Sequence, residues 1–270
     1  MSLLAKAEAA LQRRTHDDFI IESRSQATED VPETTLDLDG LRSYFAQRGK
    51  EHTLLIPSGK VLPGMPTRTK DTITTSIPGI ETLPSGTILL TGSPGSGKTI
   101  LALQFLMDGV QKGENVLYIS FEERKENLAN YCKPFGWDLN KLTFIRYPPE
   151  KALKILEDLP MIGKHVTRVV IDSLTALTVL CKDSLQAQDT IEQLLTLTKS
   201  NATMLLLAEE APAASSGVTF TTNGAIGLYN IRTGQIRQRV AHLFHARTLM
   251  PYSIESTGIV FSPDEGIELN

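Results

Sequence analysis

Eight consecutive residues carry the clearest chemical signal in this chain: Gly92-Ser93-Pro94-Gly95-Ser96-Gly97-Lys98-Thr99. Their types and spacing are those of a phosphate-binding loop. Gly92, Gly95 and Gly97 let the backbone bend until its N–H groups converge on phosphate oxygens. A helix that starts there adds partial positive charge. Lys98 would neutralise the β- and γ-phosphates, and the Thr99 hydroxyl would ligate Mg2+. The expected nucleotide contacts run from Gly92 through Ser93, Pro94, Ser96 and Thr99 to Ile100. The ligand implied is a nucleoside triphosphate, ATP first, with Mg2+.

A second metal ligand should end a neighbouring buried strand. Arg168-Val-Val-Ile-Asp172-Ser173 supplies an apolar run that finishes in a carboxylate. Asp172 is expected to hold Mg2+ through a bound water; the alternative is an Asp that only caps the following helix. A water nucleophile also needs a base or positioning group near the outermost phosphate. Tyr118-Ile-Ser-Phe-Glu122-Glu123 offers two adjacent carboxylates at another strand end. Two surface acids leading into a helix are the competing reading of that pair.

These groups work only if a scaffold brings them to one edge. The pattern predicts strand 87–91, helix 99–112, strand 115–121, helix 124–133, strand 142–146 and helix 149–162. Strand 168–172, helix 189–200 and strand 203–208 follow. Such alternation predicts an α/β fold, a mostly parallel twisted sheet with helices on both faces. From residue 225 the pattern turns β-rich, with runs 225–231 and 235–246 flanking Thr233-Gly234 as a hairpin, then a strand over 253–261. Residues 1–70 read as an appendage: a helical stripe over 2–14, a polar linker over 22–35 and a short helix over 39–47. The main domain is expected over 71–270.

With these motifs in hand, the chain resembles the KaiC-like branch of the RecA-like P-loop ATPases. The resemblance rests on Thr75-Ser-Ile-Pro-Gly-Ile-Glu-Thr-Leu-Pro-Ser-Gly-Thr-Ile-Leu-Leu, the loop itself, Tyr118-Ile-Ser-Phe-Glu-Glu, Phe135-Gly-Trp-Asp-Leu-Asn-Lys-Leu and Val169-Val-Ile-Asp-Ser-Leu-Thr-Ala-Leu. It spans roughly residues 71–266 and implies a RecA-like core with a C-terminal β-hairpin extension. By resemblance Glu122 is the base and Glu123 its helper. The family's glycine-rich stretch before the first strand is shortened here to Glu81-Thr82-Leu83-Pro84-Ser85-Gly86. The clock protein of the family has two such cores in tandem and this sequence has one, so clock-type autophosphorylation is not implied.

Residues 211–254 contain no Asp or Glu, where an even spread of the chain's 31 acids would put about five. Arg237, Arg239, His245 and Arg247 fall on odd positions of one strand pattern, hence on one face. Ile236, Gln238, Val240, His242 and Phe244 would take the other face as core. By resemblance, RecA-like rings hold nucleotide between subunits, and a Lys-x-Arg pair from the neighbour reaches the γ-phosphate. Here the pair reads His245-Ala-Arg247. Arg247 would be the trans cation and His245 a nucleotide contact, with less charge than the family's Lys at neutral pH. A nucleic-acid groove and a merely solvated basic face are the competing readings. The loop 209–223 has no Lys or Arg, which counts against the first of these.

Composition bounds the rest. With 41% apolar residues and 270 positions the chain can bury a substantial core, and its net charge of −4 draws in neither nucleic acid nor acidic lipid as a whole. Cys132 and Cys181 have no metal-ligand spacing and read as buried small side chains. His16, His52 and His165 read as solvated. Glu209 is either a γ-phosphate sensor or a surface acid, and Phe135 and Trp137 should pack on the sheet. No run is long enough for a membrane helix, so a soluble, cytoplasmic protein is expected. The expectation is an oligomeric Mg-ATPase, in a ring or filament with a hexamer as one candidate size, and an unidentified protein partner could dock on residues 1–70. A nucleotide-switched scaffold with little hydrolysis and a RadA-paralogue-like DNA repair accessory are the alternatives.

Overall fold

The computed structural model describes residues 72–162, 165–197, 202–209, 222–233, 236–243, 248–265 and 267–268. The expectations for residues 1–70 lie outside them. The described chain opens on a small antiparallel pair, β1 (Thr72–Thr74) and β2 (Thr82–Pro84), in register from Thr72 opposite Pro84 to Thr74 opposite Thr82. β3 (Thr87–Gly92) then runs into α1 (Lys98–Gln111). Next come β4 (Val116–Ser120), α2 (Lys125–Cys132) and β5 (Thr143–Arg146). They are followed by α3 (Ile155–Ile162), β6 (Arg168–Asp172), α4 (Leu174–Leu180), α5 (Ser184–Leu197) and β7 (Thr203–Ala208). β8 (Gly224–Thr233), β9 (Ile236–Leu243), β10 (Thr248–Glu255), β11 (Gly258–Phe261) and β12 (Ile267–Glu268) complete it.

β3 to β12 form one ten-stranded sheet in the order β11-β10-β9-β8-β3-β7-β6-β4-β5, with β12 on β10. From β5 to β8 every neighbouring pair is parallel. From β8 to β11 every pair is antiparallel. The fold is thus α/β, a RecA-like core with a β-rich C-terminal extension. That extension is a meander rather than one hairpin, because the single strand expected over 253–261 breaks at Ser256-Thr257 into β10 and β11.

Strict alternation on the central strands builds a core on each face. Ile88, Leu90, Tyr118, Val170, Leu205 and Leu207 point to one side, where Leu101, Phe105 and Leu106 of α1 and Leu128 of α2 cover them. Leu89, Leu117, Ile119, Val169, Ile171, Met204 and Leu206 point to the other, under Ile155 and Leu159 of α3, Leu174 and Leu177 of α4, and Ile191 and Leu194 of α5. Helices therefore lie on both faces.

Three local expectations shift. The helix expected over 149–162 is a 3-10 stretch, Pro149–Lys154, followed by α3, since consecutive prolines 148 and 149 delay regular helix and Lys151 leaves helical geometry. α4 was too short for the periodicity to show, and α5 starts five residues ahead of the expected 189. Cys132 is buried as expected, whereas Cys181 keeps partial exposure.

Candidate nucleotide-binding site

The loop between β3 and α1 sits at the carboxyl edge of the parallel strands, where such sheets bind ligands. β3 is buried along its whole length and β7 and β8 flank it, so the strand delivers the loop from a rigid base. A side chain at Gly92 would collide with the Leu228 carbonyl and the Ser96 hydroxyl. Gly97, with φ 99°, turns the chain into α1 in the left-handed region that favours glycine. Its amide precedes the first turn, and the helix proper begins when Leu101 N–H donates to the Gly97 carbonyl at 2.9 Å. Lys98 folds back over the loop and donates from Nζ to the Gly92 carbonyl at 2.7 Å and the Ser93 carbonyl at 3.2 Å. Ser96 is fully buried, its hydroxyl without a partner among the described residues.

The acids arrive from β4 and β6, which lie side by side with Ser120 opposite Asp172. Asp172 shares the α1 face of β6 with Val170 and accepts a hydrogen bond from the buried Tyr118 hydroxyl at 2.5 Å. Burial of its carboxyl raises its pKa to about 6; the Tyr118 hydroxyl opposes this, Glu122 adds to it, Lys98 opposes it and Glu123 adds to it. Asp172 thus shares a field with Lys98 and both glutamates. The helix behind β6 is capped by Ser173, whose Oγ accepts from Ala176 N–H, so capping is not the role of Asp172. The Asp172–Ser173 peptide bond is cis.

Glu122 and Glu123 follow β4 and precede α2, outside its first turn. The buried Ser120 hydroxyl accepts from both of their amides, at 3.3 and 2.8 Å. Ser173 Oγ donates to Glu122 Oε1 at 2.6 Å, while Glu123 Oε2 accepts from Asn127 Nδ2 at 2.7 Å. One carboxylate therefore turns toward β6 and the other toward α2. Glu209 directly follows β7, half-buried, its amide donating to Thr175 Oγ1 at 2.9 Å.

His245 and Arg247 lie outside the described residues. Of the period-two face read from Arg237 through Arg247, the described residues hold only the part on β9, up to Leu243. Nor is the face of Arg239 simply solvated: Ala241 and Leu243, which share it, are buried in the α1-side core. On the opposite face Val240 is buried as expected, and burial lowers the His242 pKa to about 4. Of the sequence candidates, the structure brings Gly92 to Ile100, Asp172, Glu122 and Glu123 to one sheet edge. Sequence reading missed the contacts made by Tyr118, Ser120 and Ser173. Only Ser173 carried a usable signal, as a cap ahead of an apolar run.

Does this edge fit a nucleotide and a metal? The glycine loop leaves room at Gly95, where an added Cβ would meet nothing within 4 Å. Among the described residues no group of three His, Cys, Asp or Glu side chains stands ready to hold a metal by itself. Thr99 at the start of α1 and Asp172 at the end of β6 offer the one or two oxygen ligands that Mg2+ takes from protein, with water and phosphate completing its shell. The donor set fits both groups.

Fold and edge together have the form of a RecA-like P-loop core. Residues 73–145 match the family model described as ATPase: KaiC. The chain is 27% identical over 238 residues to the circadian clock protein KaiC3 of Synechocystis, covering 72% of this chain and 46% of that protein. It thus spans about half the length of the clock relatives it matches. A UPF0273 protein of Thermotoga maritima is 25% identical over 237 residues, 73% of this chain and 98% of its own length. Among solved structures, a KaiC-like protein from Pyrococcus horikoshii superposes with a TM-score of 0.62 at 24% identity, covering 72% of this chain and all of that one. The core described here is KaiC-like. No described helix is long and apolar enough to cross a membrane.

Proposed function

We propose that this chain binds Mg-ATP at the Gly92–Thr99 loop and hydrolyses it as a homo-oligomer. The observation that carries the reading is the meeting, at one sheet edge, of the loop lysine with Asp172 and Glu122 from two adjacent strands. ATP would bring the phosphoryl group to be transferred, and Mg2+ the charge that offsets its oxygens. The loop amides and the α1 N-terminus bind the polyphosphate. Lys98 exchanges its two loop carbonyls for phosphate oxygens. Thr99 and Asp172 would hold the metal, Asp172 through water. Glu122, anchored at Oε1 by Ser173, keeps its second oxygen for orienting a water and taking its proton. Glu123 assists from the α2 side.

Arg247 of a neighbouring subunit would supply the remaining cation, with His245 beside it. A second reading, an ATP-switched scaffold with little turnover, draws on His245 itself, which replaces a permanent cation by a group mostly neutral at pH 7. Steady-state phosphate release decides between them. The ATPase reading expects release that Glu122→Gln reduces at least 100-fold while Mg-ATP binding persists. Binding without release in the wild type overturns hydrolysis and favours the scaffold.

A further inference from the structure

Loop glycines create a problem that the loop alone does not solve. A peptide group flanked by a glycine in the left-handed region rotates easily, and the Ser96–Gly97 peptide is such a group. If it turns over, the Gly97 N–H leaves the phosphate side and the Ser96 carbonyl takes its place, presenting an acceptor to an anion. Something must hold that carbonyl.

The structure supplies one buried donor for it. The Tyr252 hydroxyl reaches the Ser96 carbonyl at 2.6 Å across 156 positions of sequence. Tyr252 is 5% exposed and stands on β10, opposite Phe261 of β11, whose ring lies 5.9 Å from its own. The hairpin is itself fastened to α1: Gln104 Nε2 donates to the Ile259 carbonyl at 3.0 Å, and Ile259 N–H donates to Gln104 Oε1 at 2.8 Å. Ile254 and Ile259 close over Gly97, where an added Cβ would meet their methyl ends at 3.4 and 3.2 Å. The donor is thus held from both sides.

In a planar trans peptide the C=O and N–H point in opposite directions. We infer that Tyr252 is a positioning residue of the nucleotide site: by fixing the Ser96 carbonyl toward β10, it aims the Gly97 N–H at the polyphosphate. It touches no substrate. The inference rests on the Mg-ATP reading of the loop and adds the β10–β11 hairpin to that site.

The test is Tyr252→Phe in the full chain, which keeps the ring and removes only the hydroxyl. Titration with Mg-ATP and with Mg-ADP should show both dissociation constants raised by roughly ten-fold, as for a hydrogen bond to a charged group. KM for ATP should rise in step, kcat should stay within about two-fold, and nucleotide-free melting should fall by only a few degrees. In wild type the Gly97 amide proton resonance should shift downfield on adding Mg-ADP, and Tyr252→Phe should lose at least about half of that shift. Wild-type affinity with an unchanged Gly97 shift in Tyr252→Phe overturns the inference. So does a variant that loses melting temperature and kcat without losing affinity, since the hydroxyl would then be only structural. If the wild type itself binds no Mg-ATP, or Lys98→Ala binds as tightly as wild type, it is the nucleotide reading that fails.

Discussion

Lys98 spends its hydrogen bonds on two carbonyls of its own loop, so binding a polyphosphate exchanges dipolar partners for charged ones. Removing the ammonium should therefore cost much of the affinity. We expect Lys98→Ala to weaken Mg-ATP binding about 100-fold, read by calorimetric titration. Asp172 adds a pH signature. Its pKa is raised from 3.8 to about 6, by burial first, with Tyr118 opposing and Glu122 reinforcing. A carboxyl raised by folding favours the folded state below its ordinary pKa, and that contribution disappears as pH rises through about 6. Without nucleotide, the wild type should lose stability relative to Asp172→Asn between those two values. With Mg-ATP the sign reverses, because a metal site needs the ionised form: stabilisation by Mg-ATP should fade as pH drops below about 6. Melting curves of both proteins from about pH 4 to 8, with and without Mg-ATP, check both halves.

Between elements, the largest fully buried side chain among the described residues is a cation. Arg168 opens β6 fully buried, with Nη1 2.7 Å from Asp108 Oδ2 and Nε 2.7 Å from Glu114 Oε2. It also donates to the Phe105 and Thr74 carbonyls and lies over the Phe105 ring. Burial would raise Asp108, but hydrogen bonds from Lys112, the Ser76 amide and Arg168 outweigh it and hold the carboxyl below its usual range. This network ties β1, α1 and β6 together. Arg168→Leu leaves two carboxylates without their buried partner, and we expect it to lower unfolding free energy by about 3–5 kcal/mol in urea titrations. At β9 the expected effect runs with acid. His242 is lowered from 6.5 to about 4 by burial, so its neutral form contributes stability above pH 6.5 that is lost as pH falls toward 4. His242→Gln should flatten the loss of stability over that window, as measured by denaturation at a series of pH values.

At the scale of the whole molecule, the proposal is that one core is incomplete without another. Light scattering of the wild type should show growth in size on adding Mg-ATP. Arg247→Ala should release phosphate about 1,000-fold more slowly while still binding nucleotide, the size of effect known for trans arginines in phosphoryl transfer. An Arg247→Ala protein that assembles and turns over like wild type removes the shared-site reading, leaving the within-chain cluster of Lys98, Asp172 and Glu122 to stand alone.

The sequence by itself determined whatever is local or periodic. The eight-residue loop, the strand before it and the helix after it were legible because glycine spacing and apolar runs act over a few residues. Asp172 and Glu122 were legible as carboxylates ending apolar strands, and the parallel class followed from strand–helix alternation. Tertiary structure decided what depends on neighbours far away in sequence. Which strand lies next to which set the Tyr118–Asp172 and Ser173–Glu122 contacts, since a hydrogen-bonding direction has no one-dimensional signature. The burial of Arg168 contradicts the usual exposure of its type and follows only from Asp108 and Glu114 being carried to it on α1 and the turn beyond. The burial of Ala241 and Leu243 on the Arg239 side of β9 was not legible for the same reason: period two says which residues share a side, but only packing says whether that side is covered.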